Sequence, residues 1–392
     1  MNTINTKSKR IASLDILKGA IMIIMALDHV RDYFHYDAFF FDPTDPEKTN
    51  LGLYLTRWIT HYCAPTFSLL AGVSAYLIGI RKSKKELSSF LLKRGIWLIF
   101  IELTVVNFSW FFDIQFQTFG LFVIWSLGIS MIFLAAIIHL NLKHILIFSM
   151  VVIFGHNALD SIQIGNQIFW SIIHERNFID LSNGIKLLAA YPILPWIGVM
   201  SFGYYIGSFY ERNFPPEKRK KVFLIIGSSS VIMFFIIRLL NGYGNFQYWK
   251  NYELVIQTLF SFFNPAKYPP SLTYLLMTLG PVFIILSLTE NLKGKIINTI
   301  SVFGKVPFLY YILHIYLIHL LALITAWITG FGWESLIIKG WVTQSPLLKG
   351  FGFNLWIVHL IWIAIVIALY PFCNKFSIYK MNNKDKKWLS YL

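Results

Sequence analysis

Ser13-Leu14-Asp15-Ile16-Leu17-Lys18-Gly19-Ala20-Ile21-Met22-Ile23-Ile24-Met25-Ala26-Leu27-Asp28-His29-Val30-Arg31-Asp32 reads as a membrane-type helix interrupted by charge at both ends. Its unbroken apolar core, Gly19 to Leu27, rises only about 13.5 Å, less than half of a hydrocarbon core of about 30 Å. Such a helix cannot stand alone in lipid. It is expected to be surrounded by other helices, with its charged groups turned toward a polar cavity. Lys18 and His29 are eleven residues apart, nearly three turns, which puts a cation and an imidazole on one stripe about 16.5 Å apart. Asp15 and Lys18, at i and i+3, are placed to pair. The plainer alternative is interfacial anchoring by Lys18 and a satisfied His29 at the helix end.

The rest of the chain supplies the surrounding helices. Apolar windows near 11–33, 55–80, 92–112, 117–138, 142–158, 186–209, 222–240, 271–290, 306–328 and 353–373 predict ten membrane spans. The 392 residues are 56% hydrophobic and only 14% charged, against roughly 25% charged in soluble chains, so an ordinary soluble domain is excluded. The net charge of +15 is explained by topology. Lys7, Lys9, Arg10 and Lys18, then Arg81 to Arg94, Lys143, Arg212 to Lys221, Lys293 to Lys305 and Lys375 to Lys387 fall on one side of a ten-span chain, whereas Asp32, Asp37, Asp42, Asp45 and Glu47 fall on the other. The positive-inside rule then puts both termini in the cytoplasm. Charges spread over short turns, with no groove-binding motif, argue against a nucleic-acid partner. The expected architecture is an all-α polytopic membrane protein, one transmembrane domain over 1–392 with no separate soluble domain. The basic start, with Asp15 and Lys18 interrupting the segment behind it, reads as an uncleaved first helix and not a signal peptide. Cys63 and Cys373 lack any spacing for a disulfide framework or a thiolate metal site. The longest stretches between spans, 159–185, 241–270 and 329–352, are rich in aromatics, Asn and Gly and are expected at the interface, where they would roof a site.

Polar residues within the spans carry the chemistry. Arg57-Trp58-Ile59-Thr60-His61-Tyr62-Cys63-Ala64-Pro65 opens the second span from the outside, so His61 reaches about the depth of His29 and shares an outer pocket with Asp28. Pro65 is tolerated there if a neighbour satisfies the carbonyl it frees, and Ala71, Gly72 and Ser74 favour close helix packing. A histidine beside a carboxylate suits general base catalysis and equally suits proton relay. The loop Asn264-Pro265-Ala266-Lys267-Tyr268-Pro269-Pro270 is stiff enough to hold Asn264, Lys267 and Tyr268 at a cavity roof. In the ninth span, His314 and His319 are separated by about 140° around the helix, which speaks for structural hydrogen bonding and against a joint metal site. Glu102, Asn107 and Arg238 are expected to pair with neighbours. No histidine makes a metal-ligand pattern with carboxylates, and no metal is expected.

Taken together, Ser13 to Gly19 followed by Leu27-Asp28-His29, Thr60 to Pro65, Tyr191-Pro192-Ile193-Leu194-Pro195-Trp196-Ile197-Gly198, Asn264 to Pro270 and Phe303-Gly304-Lys305-Val306-Pro307-Phe308 resemble bacterial membrane proteins with the heparan-alpha-glucosaminide N-acetyltransferase catalytic domain. The first helix is also similar to that of the acyltransferase-type-three family, in which an Arg or Lys is followed after ten residues by His. The resemblance implies a membrane-embedded acyltransferase of the bacterial cytoplasmic membrane. It would move an acetyl group from cytosolic acetyl-CoA, the donor substrate, to an amine or hydroxyl of an extracytoplasmic sugar or glycan. In that light His29, His35 or His61, ranked in that order, is the base, with Asp28 orienting it. Lys18 and Arg94 face the donor, while Arg57, Asn264, Lys267 and Tyr268 meet the acceptor. Homo-oligomerisation stays open. The competing function is a proton-coupled transporter or flippase of a polar or glycolipid substrate, in which Asp28, His29 and His61 relay protons.

Overall fold

The computed structural model describes residues 11–340 and 346–390; Lys7, Lys9 and Arg10 lie outside them. In chain order the helices are α1 (Ala12–Phe34), α2 (Leu51–Thr60), α3 (Cys63–Gly79), α4 (Lys84–Ile101), α5 (Asn107–Phe111), α6 (Val123–Ile137), α7 (Leu142–Gly155), α8 (Gln167–Ile173), α9 (Ile193–Gly207), α10 (Pro216–Leu240), α11 (Val255–Phe262), α12 (Leu272–Thr289), α13 (Lys295–Lys305), α14 (Pro307–Ile328) and α15 (Leu355–Asn382). Among the described residues six stretches are long and apolar enough to cross a membrane: Leu51–Gly79, which joins α2 and α3, Leu142–Leu159, α10, α12, α14 and α15.

The helices start where the chain carries capping chemistry. Ser83 and Glu86 form a reciprocal capping box at α4. Asn50, Ser271 and Asn354 accept backbone N–H groups at the starts of α2, α12 and α15, and Pro216 and Pro307 occupy first-turn positions where no N–H is needed.

The fold differs from an all-α reading in one layer. Three short strands, β1 (Thr118–Gly120), β2 (Asn177–Asp180) and β3 (Lys186–Ala189), form a sheet of order β1-β3-β2, parallel between β1 and β3 and antiparallel between β3 and β2. Two windows that read as single spans therefore begin as strands, and α6 and α9 start only at Val123 and Ile193. The window 92–112 also bends, through a π-helical turn at Glu102–Val106 in which Asn107 Nδ2 donates to the Glu102 carbonyl at 2.6 Å. A further helix, α13, was not foreseen, because its Lys-rich start reads as a turn.

That helix explains how α1 keeps its charged ends. Most of α1 is buried, Asp15, Arg31 and Asp32 included. A Cβ at Gly19 would lie 2.0 Å from the Ile300 carbonyl oxygen of α13, and one at Gly304 would lie 1.9 Å from that of Asp15. Only glycine permits this backbone-to-backbone approach. From the other side, Trp362 of α15 donates to the Ile23 carbonyl at 2.8 Å. The same device joins α3 to α9, where a Cβ at Gly72 would sit 2.0 Å from the Met200 carbonyl oxygen.

Candidate active site

The window 55–80 is two helices meeting at His61 and Tyr62. Pro65 cannot donate to the carbonyl four residues back, which is that of His61; the Tyr274 hydroxyl of α12 donates to it instead, at 2.7 Å. The break fixes the end of α2 against α1. Arg57 Nη1 lies 2.9 and 2.8 Å from the two oxygens of Asp28, and Thr60 donates to Asp28 at 2.8 Å. Arg31 bonds Asp28 as well and reaches Asp32 at 2.7 Å. Two carboxylates and two guanidinium groups thus balance one another's charge in a site where an unpaired charge would be prohibitive, while Nε and Nη1 of Arg31 are buried without a hydrogen bond.

His29, next to this network, points elsewhere. Its Nδ1 is 2.8 Å from Nε2 of His314 on α14. The ring planes are 12° from parallel with centroids 4.9 Å apart, a separation consistent with two imidazoles meeting through the nitrogens that lie 2.8 Å from each other. His314 Nδ1 in turn lies 2.9 Å from the Tyr310 carbonyl. Trp110 sets its plane at 74° to the His29 ring at 4.8 Å, and Tyr311 stands at 6.4 Å. The expectation that Asp28 orients His29 is replaced by this contact: Asp28 is occupied by Arg57, Thr60 and Arg31, and the partner of His29 is His314.

The other proposed residues divide. Lys267 is close enough for its charge to act on Asp28, His29 and His61, and its ammonium lies 5.3 Å from the centroid of the Tyr268 ring. Arg176 lies 5.0 Å from the same ring, and Tyr191 packs edge-on at 5.4 Å. Burial would push the Tyr268 phenol up, but Lys267, Arg57, the Tyr191 hydrogen bond and Arg176 outweigh it and hold it below its usual value. His61 packs against Tyr274 at 5.6 Å, its Nδ1 sealed and without a hydrogen bond. Asn264 is turned away, its side chain reaching the Thr44 carbonyl at 3.4 Å. His35 ends α1, accepts the Asp37 N–H at 3.2 Å and lies against Tyr36; burial, with help from Arg31, lowers its imidazole to about 4. His319 is held between the carbonyls of Ser109 and Leu336 at 2.9 and 2.8 Å. Glu102 accepts the Trp125 N–H at 2.9 Å, and Arg238 donates to the carbonyls of Phe262, Gln247 and Ser261.

At the opposite end of α1 lies a cavity of about 1820 Å³. Lys18, Arg81, Lys82, Arg94, Arg212 and Lys305 line it on the charged side, and Met22, Leu98 and Tyr311 line its apolar part. Lys18 donates to Ser74 at 3.0 Å within it. Tyr311 belongs both to this wall and to the ring cage of His29, so the cavity ends one aromatic ring from the imidazole. Among the described residues no three His, Cys, Asp or Glu side chains converge to hold a metal. The sequence marks His314 as an intramembrane histidine and so a functional candidate, but favours structural hydrogen bonding for it, and it gives no sign of the cavity. The signal for His314 was its place as an ionisable residue in an apolar helix, and for Tyr191 its place in the Tyr191-Pro192 motif.

A large pocket with a basic rim, ending one aromatic ring from an imidazole that a second element holds in place, is suited to bringing a charged donor toward a proton acceptor. Comparison with known proteins is consistent with that chemistry. No curated protein matches the chain. The family model described as heparan-alpha-glucosaminide N-acetyltransferase, catalytic, matches residues 10–239, which run from α1 to the end of α10, and the chain belongs to this family of membrane acetyltransferases.

Proposed function

We propose that the protein transfers an acetyl group from acetyl-CoA on the cytoplasmic side of a bacterial inner membrane to an amine or hydroxyl of an extracytoplasmic sugar or glycan. The observation that carries this reading is the cavity that begins at Lys18 and Arg81 and ends at Tyr311, one ring from His29. In this reading α1, α4, α6 and α9 cross the membrane with the six longer spans, giving one ten-span domain with both termini inside. The shorter and more charged members are shielded by their neighbours and not by lipid.

The residues then take the following roles. Lys18 and Arg94, with the basic rim, hold the phosphates of the donor, and the apolar wall guides its acyl end inward. Arg57, Lys267 and Tyr268 position the acceptor from the other end. Asn264 is left to hold the loop near Thr44. His29 Nε2 takes the proton from the acceptor as its nitrogen or oxygen bonds to the thioester carbonyl carbon. The carbon–sulfur bond breaks, and the departing thiolate recovers that proton from the imidazolium. His61 assists at the acceptor, and His35 takes no part.

The reading is tested by acetyl-CoA consumption with purified protein and a panel of amino sugars, beside His29→Ala. Acceptor-dependent release of CoA that falls about 10²- to 10⁴-fold in the variant, with the variant still folded, is the expected result. A protein that neither binds nor consumes the thioester would overturn it in favour of a proton-coupled transporter.

A further inference from the structure

We infer that His314 is a positioning residue that fixes the proton on Nδ1 of His29 and so leaves Nε2 bare to act. The inference deepens the reading of His29 as the base and rests on it. A backbone carbonyl only accepts, so the 2.9 Å contact with Tyr310 puts a proton on Nδ1 of His314. A neutral His314 then has an unprotonated Nε2. The 2.8 Å contact between that atom and His29 Nδ1 holds one proton, which His29 must supply. The reverse arrangement requires a doubly protonated His314, wholly buried, with another imidazole and a carbonyl as its partners. Burial of a charge without a counter-ion excludes it.

The consequence is directional. His29 donates through one nitrogen and offers the other, which hydrogen-bonds no described residue. Trp110 and Tyr311 hold the ring at the angle this requires. When Nε2 gains a proton during transfer, Nδ1–H stays bound to a neutral acceptor, so the pair needs no rearrangement between turnovers. The arrangement places in α14 the orienting group that a catalytic histidine ordinarily finds in a carboxylate.

The test reads the tautomer without turnover. Protein labelled with ¹⁵N-histidine gives imidazole nitrogen shifts, and the His29 signals are those missing from His29→Ala. The expected wild-type spectrum shows His29 protonated on Nδ1 and bare on Nε2. In His314→Leu that preference is lost, and kcat falls about 10²-fold while the donor KM stays within about twofold. His314→Gln, whose amide oxygen can accept the same proton, recovers most of the lost kcat. His29 protonated on Nε2 in the wild type overturns the inference, and this spectrum decides even if the leucine variant fails to accumulate. A glutamine variant as impaired as the leucine one overturns it too. Full transfer by His29→Ala, with the tautomer as stated, overturns the base and with it the positioning role, so the two failures are distinguishable.

Discussion

The two ends of α1 meet opposite surroundings. At the Lys18 end the helix borders a cavity of about 1820 Å³ lined by Lys18, Arg81, Lys82, Arg94, Arg212 and Lys305 beside Asp15 and Glu211. At the Asp28 end the charges are locked into pairs, Arg57 and Arg31 on Asp28 and Arg31 on Asp32, with side chains only 1–13% exposed. A cavity rimmed by cations suits a large charged substrate that arrives and leaves; closed pairs suit a site whose geometry must not move. In the proposed function one helix thus carries an admission site and a chemical site, separated by the Tyr311 ring.

The comparison breaks most visibly at Arg57. Arg57→Met removes the principal partner of Asp28 and leaves its carboxylate underpaired in a closed site. A stability loss of about 3–5 kcal/mol is expected, read as a fall in the thermal unfolding midpoint. Arg81→Ala at the open rim should leave that midpoint nearly unchanged. Equal losses at both positions would show that the two ends do not differ as described.

A smaller effect is expected at Lys18. If it meets the donor, Lys18→Ala raises the donor KM about tenfold, the loss of one charge-assisted hydrogen bond, and leaves the acceptor KM alone. A rise confined to the acceptor KM would remove Lys18 from the donor site.

An effect confined to stability at acid pH belongs to His35, which the proposed function leaves out of the chemistry. Its folded value of about 4 lies below the ordinary 6.5, so the unfolded chain takes up the proton first as pH falls. The stabilisation is complete above pH 6.5 and is lost between 6.5 and about 4. His35→Phe should flatten the fall in thermal stability across that window while transfer at neutral pH persists. A variant whose stability falls as steeply as that of the wild type would contradict the assignment.

What could be read in advance follows from the range of the interaction. The confinement of α1 and the apolar helices are set by local sequence. The tolerance of Pro65 was legible as a requirement for a neighbour's hydrogen bond, although only the fold identifies that neighbour as Tyr274. The pairing of His29 with His314 spans 285 residues, a separation for which spacing gives no guide, so the adjacent Asp28 looked like the natural partner. The helix α13 was obscured because Lys295 and Lys305 bracket it. The strands escaped notice because Leu187, Leu188 and Ala189 merge into the apolar run that becomes α9. Tyr311 was visible as an aromatic, but its double membership in cavity and cage exists only in three dimensions.

The most direct test of a two-ended transfer site is sidedness. Protein is reconstituted in liposomes, with its orientation read from the accessibility of a tag placed after Lys85. Acetyl-CoA is supplied on one face and an amino sugar on the other. The account predicts acetylated sugar on the far face and free CoA on the near one, from those molecules whose Lys85 turn faces the donor. Transfer only when donor and acceptor share a face would contradict it.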